Sequence, residues 1–124
     1  MHEEPLRVHS LSKKLVIVGD EFCGKTALLT AFKPEEQAWR EQCTSSPVFE
    51  TTHINTATNG VPLELALWDT GGQYDDGDLR ALAYLNTDVV VIAFDISNEV
   101  SLANVEKKWV PEVAQWCPPN TPIV

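Results

Sequence analysis

Leu15-Val16-Ile17-Val18, followed without a break by Gly19-Asp20-Glu21-Phe22-Cys23-Gly24-Lys25-Thr26, decides how this chain folds. The first four residues form a continuous apolar run rich in β-branched side chains, which predicts a short strand buried on both faces. The next eight fit the pattern G-x-x-x-x-G-K-[ST]. That spacing has a chemical reason. The loop's backbone N–H groups turn inward around phosphates, the lysine neutralises the β/γ charge, and the threonine hydroxyl reaches Mg²⁺. Lys25 to Phe32 reads as a helix stopped near Pro34, and its positive N-terminal end points at the same anion. A pattern match alone also describes an ordinary glycine-containing turn; its position between a buried strand and a helix favours the phosphate loop.

Downstream, Val48 to Thr58 reads as a strand, and Asn59-Gly60 is a strong short hairpin signal. The return strand alternates Leu63, Leu65 and Leu67 with Glu64, Ala66 and Trp68, a period of two, and ends on Asp69. A strand-end aspartate is often only a turn residue. Beside a phosphate loop it is suited to hold Mg²⁺ through its shell. Thr70-Gly71-Gly72-Gln73 follows, where Gly72 can lay a backbone N–H against a γ-phosphate and Gln73 can orient an attacking water. A short helix is expected over Leu79 to Leu85, and a second fully buried strand over Asp88 to Asp95. Ser101 or Asn98 is then the cap of a helix running toward Trp116, with Pro111 as a kink or break. Pro122-Ile123-Val124 reads as the start of a further strand. Strands alternating with helices, with one hairpin, imply an α/β fold with a mostly parallel sheet.

Composition narrows the function classes. The chain has 124 residues, 44% apolar and 22% charged, which suits one domain with a real core. Nine Lys and Arg against 18 acids give a formal charge of −9, which argues against nucleic acid or an anionic membrane as a partner. Cys23, Cys43 and Cys117 lack metal-like spacing and read as free thiols of a reducing, cytoplasmic compartment. No stretch approaches the ~20 apolar residues of a membrane span. The start carries no signal-peptide pattern, and the end carries no CaaX box, so no lipid anchor is expected in this chain. Residues 1–12 are expected to be a flexible arm, and 13–124 a partial domain.

On these residues the chain resembles the Rho family of Ras-like small GTPases. The matching stretches are Lys14 to Leu29, Val48-Phe49-Glu50, Leu63 to Gln73 and Leu85 to Trp116. Asn86-Thr87-Asp88-Val89 and Glu106 to Val113 are similar to Rho rather than Ras proteins. The resemblance implies a P-loop NTPase of the small GTPase type, a three-layer α/β/α fold with a mostly parallel sheet. It implies GTP and GDP as ligands, Mg²⁺ as cofactor, and effector or regulatory proteins as partners, contacting Phe49 and the Asp75–Leu85 region. The nucleotide-binding set it implies is Gly19, Asp20, Glu21, Phe22, Cys23, Gly24, Lys25, Thr26, Ala27, Asp69 and Gly72. Thr26 and Asp69 serve the metal, and Gln73 is the catalytic residue.

The chain departs from that family in four ways. The third loop residue, a glycine in the family, is Glu21, and Phe22 follows it; both crowd the place where water, Gln73 and an arginine finger meet. The switch threonine that ligates Mg²⁺ aligns with Pro47, which has neither hydroxyl nor N–H. The segment between Phe32 and Phe49 is longer than in typical members, so Thr44, Ser45 or Ser46 is a candidate substitute and Trp39 a candidate cover for the base. The N-K-x-D motif that reads guanine is expected to fall beyond Val124, along with the last helix, and its loss would expose an apolar patch on one sheet face. Impaired hydrolysis is expected. The alternatives are a pseudo-GTPase interaction module, a fragment without function, and use of ATP.

Overall fold

A computed structural model describes residues 10–32, 49–70 and 77–124. The apolar run at Leu15–Val18 lies inside β1 (Leu11–Gly19), which begins two residues within the stretch expected to be an arm. β2 (Phe49–Thr58) and β3 (Val61–Thr70) form the hairpin expected at Asn59-Gly60. Both turn residues have positive φ, 51° and 77°, as a two-residue turn matching the strand twist requires. β4 (Val89–Ala93) completes a sheet of order β2-β3-β1-β4 among the described residues. β1 is parallel to β3 and to β4, and only the β2–β3 pair is antiparallel. Ile123 bridges Val90 in parallel, with Val90 N donating to Pro122 O at 3.0 Å and Val124 N to Val90 O at 2.9 Å. The strand expected at Pro122-Ile123-Val124 therefore begins alongside β4.

The period of two in β1 divides the core. Val16 and Val18 point to one face, where they pack with Tyr84, Val90, Trp109 and Val113. Ile17 points to the other and packs with Leu29, Ile54 and Leu67. Both faces are thus covered, as a parallel strand requires. α1 (Lys25–Phe32) supplies Leu29 on the second face. On that face Leu15, Leu65, Val91 and Ala93 are only partly buried.

The first face is covered by a longer helical run. α2 (Gly77–Ala83) ends two residues before the expected Leu85. After β4, Asn98 caps α3 (Glu99–Asn104), its side chain accepting from Val100 N and Ser101 N. Ser101, the other candidate cap, is buried instead, donating to Asn98 O at 2.7 Å and accepting from Asp95 N at 2.9 Å. α3 runs into a π-helical turn (Val105–Trp109) and then α4 (Val110–Trp116). Pro111 therefore does not break the helix. It sits in the first turn of α4, where its missing N–H costs little, and the wider π turn precedes it.

α2 is tied to α4 by a buried ion pair. Arg80, 1% exposed, donates from Nε and Nη2 to the two carboxylate oxygens of Glu112, at 2.9 and 2.5 Å. The Tyr84 hydroxyl donates to the same carboxylate. Burial pulls the Arg80 guanidinium down, but the bond to Glu112 and its charge leave it above its ordinary range. Burial and the same carboxylate push the Tyr84 phenol up. A buried pair of this kind is expensive to break, because the surviving partner is left uncompensated. Glu112→Ala removes the carboxylate that Arg80 and Tyr84 share, and it is expected to lower unfolding stability by about 3–5 kcal/mol in urea titration. A loss below about 1 kcal/mol would show that water replaces the carboxylate at no cost.

Candidate phosphate-binding site

The carboxyl ends of β1, β3 and β4 lie side by side, and the candidate residues gather there. The register pairs Ile17 with Asp69 and Gly19 with Ala93. In an open α/β sheet this edge is where ligands bind. The buried Thr70 hydroxyl donates to Ile17 O at 2.8 Å and fixes β3 against β1 at this level.

Gly19 is where β1 gives way to the loop, and the packing there leaves no room for a side chain. A Cβ at this position would lie 2.4 Å from Ala93 O and 2.9 Å from Cys23 Sγ. Cys23 N then donates to Asp20 O at 3.3 Å, closing the turn. Phe22 and Gly24 have φ of 64° and 90°, so the loop passes twice through left-handed backbone. Glycine accepts this freely, whereas phenylalanine does so against its own Cβ. Such reversals aim successive N–H groups into one concavity, which suits an anion. The Phe22 side chain gains nothing in return from packing, being 91% exposed.

Lys25 opens α1 and reaches back across the loop. Its ammonium donates to Gly19 O and Asp20 O, each at 2.9 Å, and lies 3.9 Å from Cys23 Sγ. Only 7% of Lys25 is exposed, so this charge is held in place. Burial raises the Cys23 thiol above its ordinary value despite the opposing pull of Lys25, so the thiol is kept neutral and unreactive. Helix geometry leaves the first-turn amides of α1, at Lys25, Thr26 and Ala27, without carbonyls behind them. Thr26 Oγ1 donates to Asp69 Oδ2 at 2.5 Å, joining the start of α1 to the end of β3 across 43 positions of sequence. These two hard oxygen donors fit a small divalent cation such as Mg²⁺.

The structure thus brings together Gly19 to Ala27 with Asp69. Gly72 and Gln73 lie outside the described residues. So do Trp39, Cys43, Thr44, Ser45, Ser46 and Pro47, and the first part of the Asp75–Leu85 region. Two residues that reading the sequence did not place at the site are Asn104 and Trp109. Asn104 Nδ2 donates to Asp20 Oδ2 at 2.7 Å, and Trp109 Nε1 donates to Asp20 Oδ1 at 2.8 Å. The only hint in the sequence is a carboxylate within a loop built for anions, which needs donors from somewhere.

Comparisons with known proteins show the family. The family model described as "Ras family" matches residues 14–124. Over 115 residues the chain is 44% identical to "Rho-related GTP-binding protein RhoB" of Homo sapiens, and to the proteins of that name in Mus musculus and Rattus norvegicus. The aligned part covers 93% of this chain and 57% of each relative, so the chain spans little more than half the length of these relatives.

Gly19→Ala tests the strand junction on which the loop stands. The added methyl must push β4 or Cys23 aside, and overpacking of this kind costs about 1–3 kcal/mol. A variant melting within a degree of the parent would show that β1 and β4 separate freely at Gly19.

Proposed function

Because the chain belongs to the Ras family of small GTPases, we propose that it is a Rho-like nucleotide switch that binds GTP and GDP with Mg²⁺ and hydrolyses GTP slowly. The observation that carries the reading is the convergence of buried Lys25 with the Thr26–Asp69 pair at the carboxyl edge of the sheet. Lys25 meets the β/γ phosphates, and the first-turn amides of α1 supply further donors to the anion. Thr26 and Asp69 would hold Mg²⁺, which when bound offsets the charge of the phosphate oxygens. Gly72 senses the γ-phosphate and Gln73 orients the water, both roles carried over from the family. Effector or regulatory proteins read the state through Phe49 and the Asp75–Leu85 region. Among the described residues no helix is long and apolar enough to cross a membrane, and a cytoplasmic location accompanies this reading.

Slow turnover follows from Glu21. Hydrolysis in this class depends on placing a water and stabilising transition-state charge, and an arginine finger alone contributes 10³–10⁵ in rate. A carboxylate in the third loop position adds bulk and negative charge where both must meet. A second reading, an interaction module without nucleotide turnover, is favoured by exposed Leu82 and Leu85 at and beyond the end of α2. Nucleotide released on denaturing the purified protein separates the two: GDP or GTP for the first, a folded protein without nucleotide for the second.

Two variants test the assignment. Lys25→Ala removes a charge-assisted contact and is expected to weaken Mg²⁺–GTP binding by on the order of 1.5–3 kcal/mol, read by titration with labelled nucleotide. Equal affinity of parent and variant would sink the phosphate site. In single-turnover hydrolysis Glu21→Gly is expected to be faster than the parent, by an order of magnitude or more if the carboxylate blocks the water. Identical rates, with both proteins stimulated equally by a Rho-type activating protein, would make Glu21 a bystander.

A further inference from the structure

Asp20 carries a negative charge inside a loop whose purpose is to surround an anion. Left to itself such a carboxylate would repel phosphate and compete for the loop's own amides. Here both of its oxygens are taken from behind the loop, Oδ2 by Asn104 and Oδ1 by the Trp109 indole. The charge is therefore bound by donors on another element.

The same residue sets the geometry of the loop through its backbone. Asp20 O accepts from Lys25 Nζ and from Cys23 N. Fixing the Asp20 side chain therefore fixes the carbonyl that aims the lysine and closes the turn. The loop needs such an anchor, because Phe22 holds it in left-handed backbone with no packing to compensate.

The π turn explains how two residues of one helix reach one carboxylate. Asn104 and Trp109 are five positions apart. In an α-helix, at 3.6 residues per turn, their side chains would diverge by about 140° around the axis. A π turn closes its hydrogen bond from i+5 to i, here Val110 N to Val105 O, and its wider turn narrows the angle between residues five apart. The Trp109 ring is fixed in turn: Lys108 Nζ lies 4.3 Å and Arg80 Cζ 4.9 Å from its centroid. Trp109 itself is fully buried.

We propose that Asn104 and Trp109 are positioning residues for the phosphate loop, acting through the Asp20 carboxylate that they hold behind it. The proposal rests on the nucleotide-binding reading for its consequence, but not for its geometry. Trp109→Phe keeps an aromatic ring and removes only the N–H donor, and Asn104→Ala removes the other donor. Two measurements on the full chain decide the matter. In the nucleotide-free protein, the amide resonances of Glu21 to Thr26 are expected to shift and broaden in both variants, at a temperature where urea titration shows each to be folded. With Mg²⁺–GDP bound, its release is expected to be about tenfold faster, and the ³¹P resonance of the β-phosphate is expected to move.

An Asp20→Ala background separates positioning from packing. There the donors have lost their target, so adding Trp109→Phe is expected to change neither the loop amides nor the release rate further. Loop resonances unmoved by both single variants would overturn the proposal. So would a Trp109→Phe effect of equal size with and without Asp20, because the ring would then be acting through the core. A parent protein that retains no nucleotide, yet whose loop amides respond to Trp109→Phe only when Asp20 is present, would remove the nucleotide-binding reading and leave the anchor standing.

Discussion

β1 has a partner strand on each side and a packed layer on each face, and every other feature of the molecule is arranged around meeting those demands. Val16, Ile17 and Val18 are fully buried, with no polar atoms to satisfy beyond the backbone that β3 and β4 already pair. The close approach of β1 to β4 at its last residue excludes any side chain at Gly19. The chain leaves the sheet there through a turn, and the turn delivers Lys25 and Thr26 to the sheet edge where Asp69 stands next to the last residue of β3. The site is thus a consequence of how one apolar strand is sandwiched.

An acidic chain can still hold an anion, because the field at a site is set by what lies within a few ångströms rather than by net charge. Lys25 is buried at the loop's centre, and the first turn of α1 adds its dipole. The two acids of the loop are treated differently. Asp20 is bonded by Asn104 and Trp109 behind the loop, whereas Glu21 is exposed at its rim. One carboxylate has become part of the scaffold, and the other faces solvent.

Pro111 shows how a local rule can be met without its usual consequence. A proline inside a helical pattern removes a backbone donor and crowds the carbonyl four residues back, so a kink or break is the natural expectation. The protein instead widens the preceding turn, which places the proline in the first turn of α4, where its donor is not needed. The widening also brings Asn104 and Trp109 to one side of the helix. Arg80 and Glu112 then join α2 to α4, close along the chain to the bond between Trp109 and Asp20.

Much of the fold was legible in the sequence because its signals are local: the apolar run of β1, the glycine spacing, the Asn59-Gly60 turn and the period-two return strand each act over a few residues. The loop from Gly19 to Thr26 was legible for the same reason, since G-x-x-x-x-G-K-[ST] specifies its own backbone path. Asp69 was legible near a strand end, and its pairing with Thr26 followed once β3 lay parallel beside β1. What the sequence could not convey were contacts between distant positions with no pattern of their own. The Asp20 bonds span 84 and 89 positions, and the Arg80–Glu112 pair spans 32. Those partners are chosen by where the sheet places the helices and by a π turn that only packing selects. The motif determined by itself the path of the loop and which residues line it; the tertiary structure decided what holds them in place, because a half-buried carboxylate takes whichever donors the fold brings within reach.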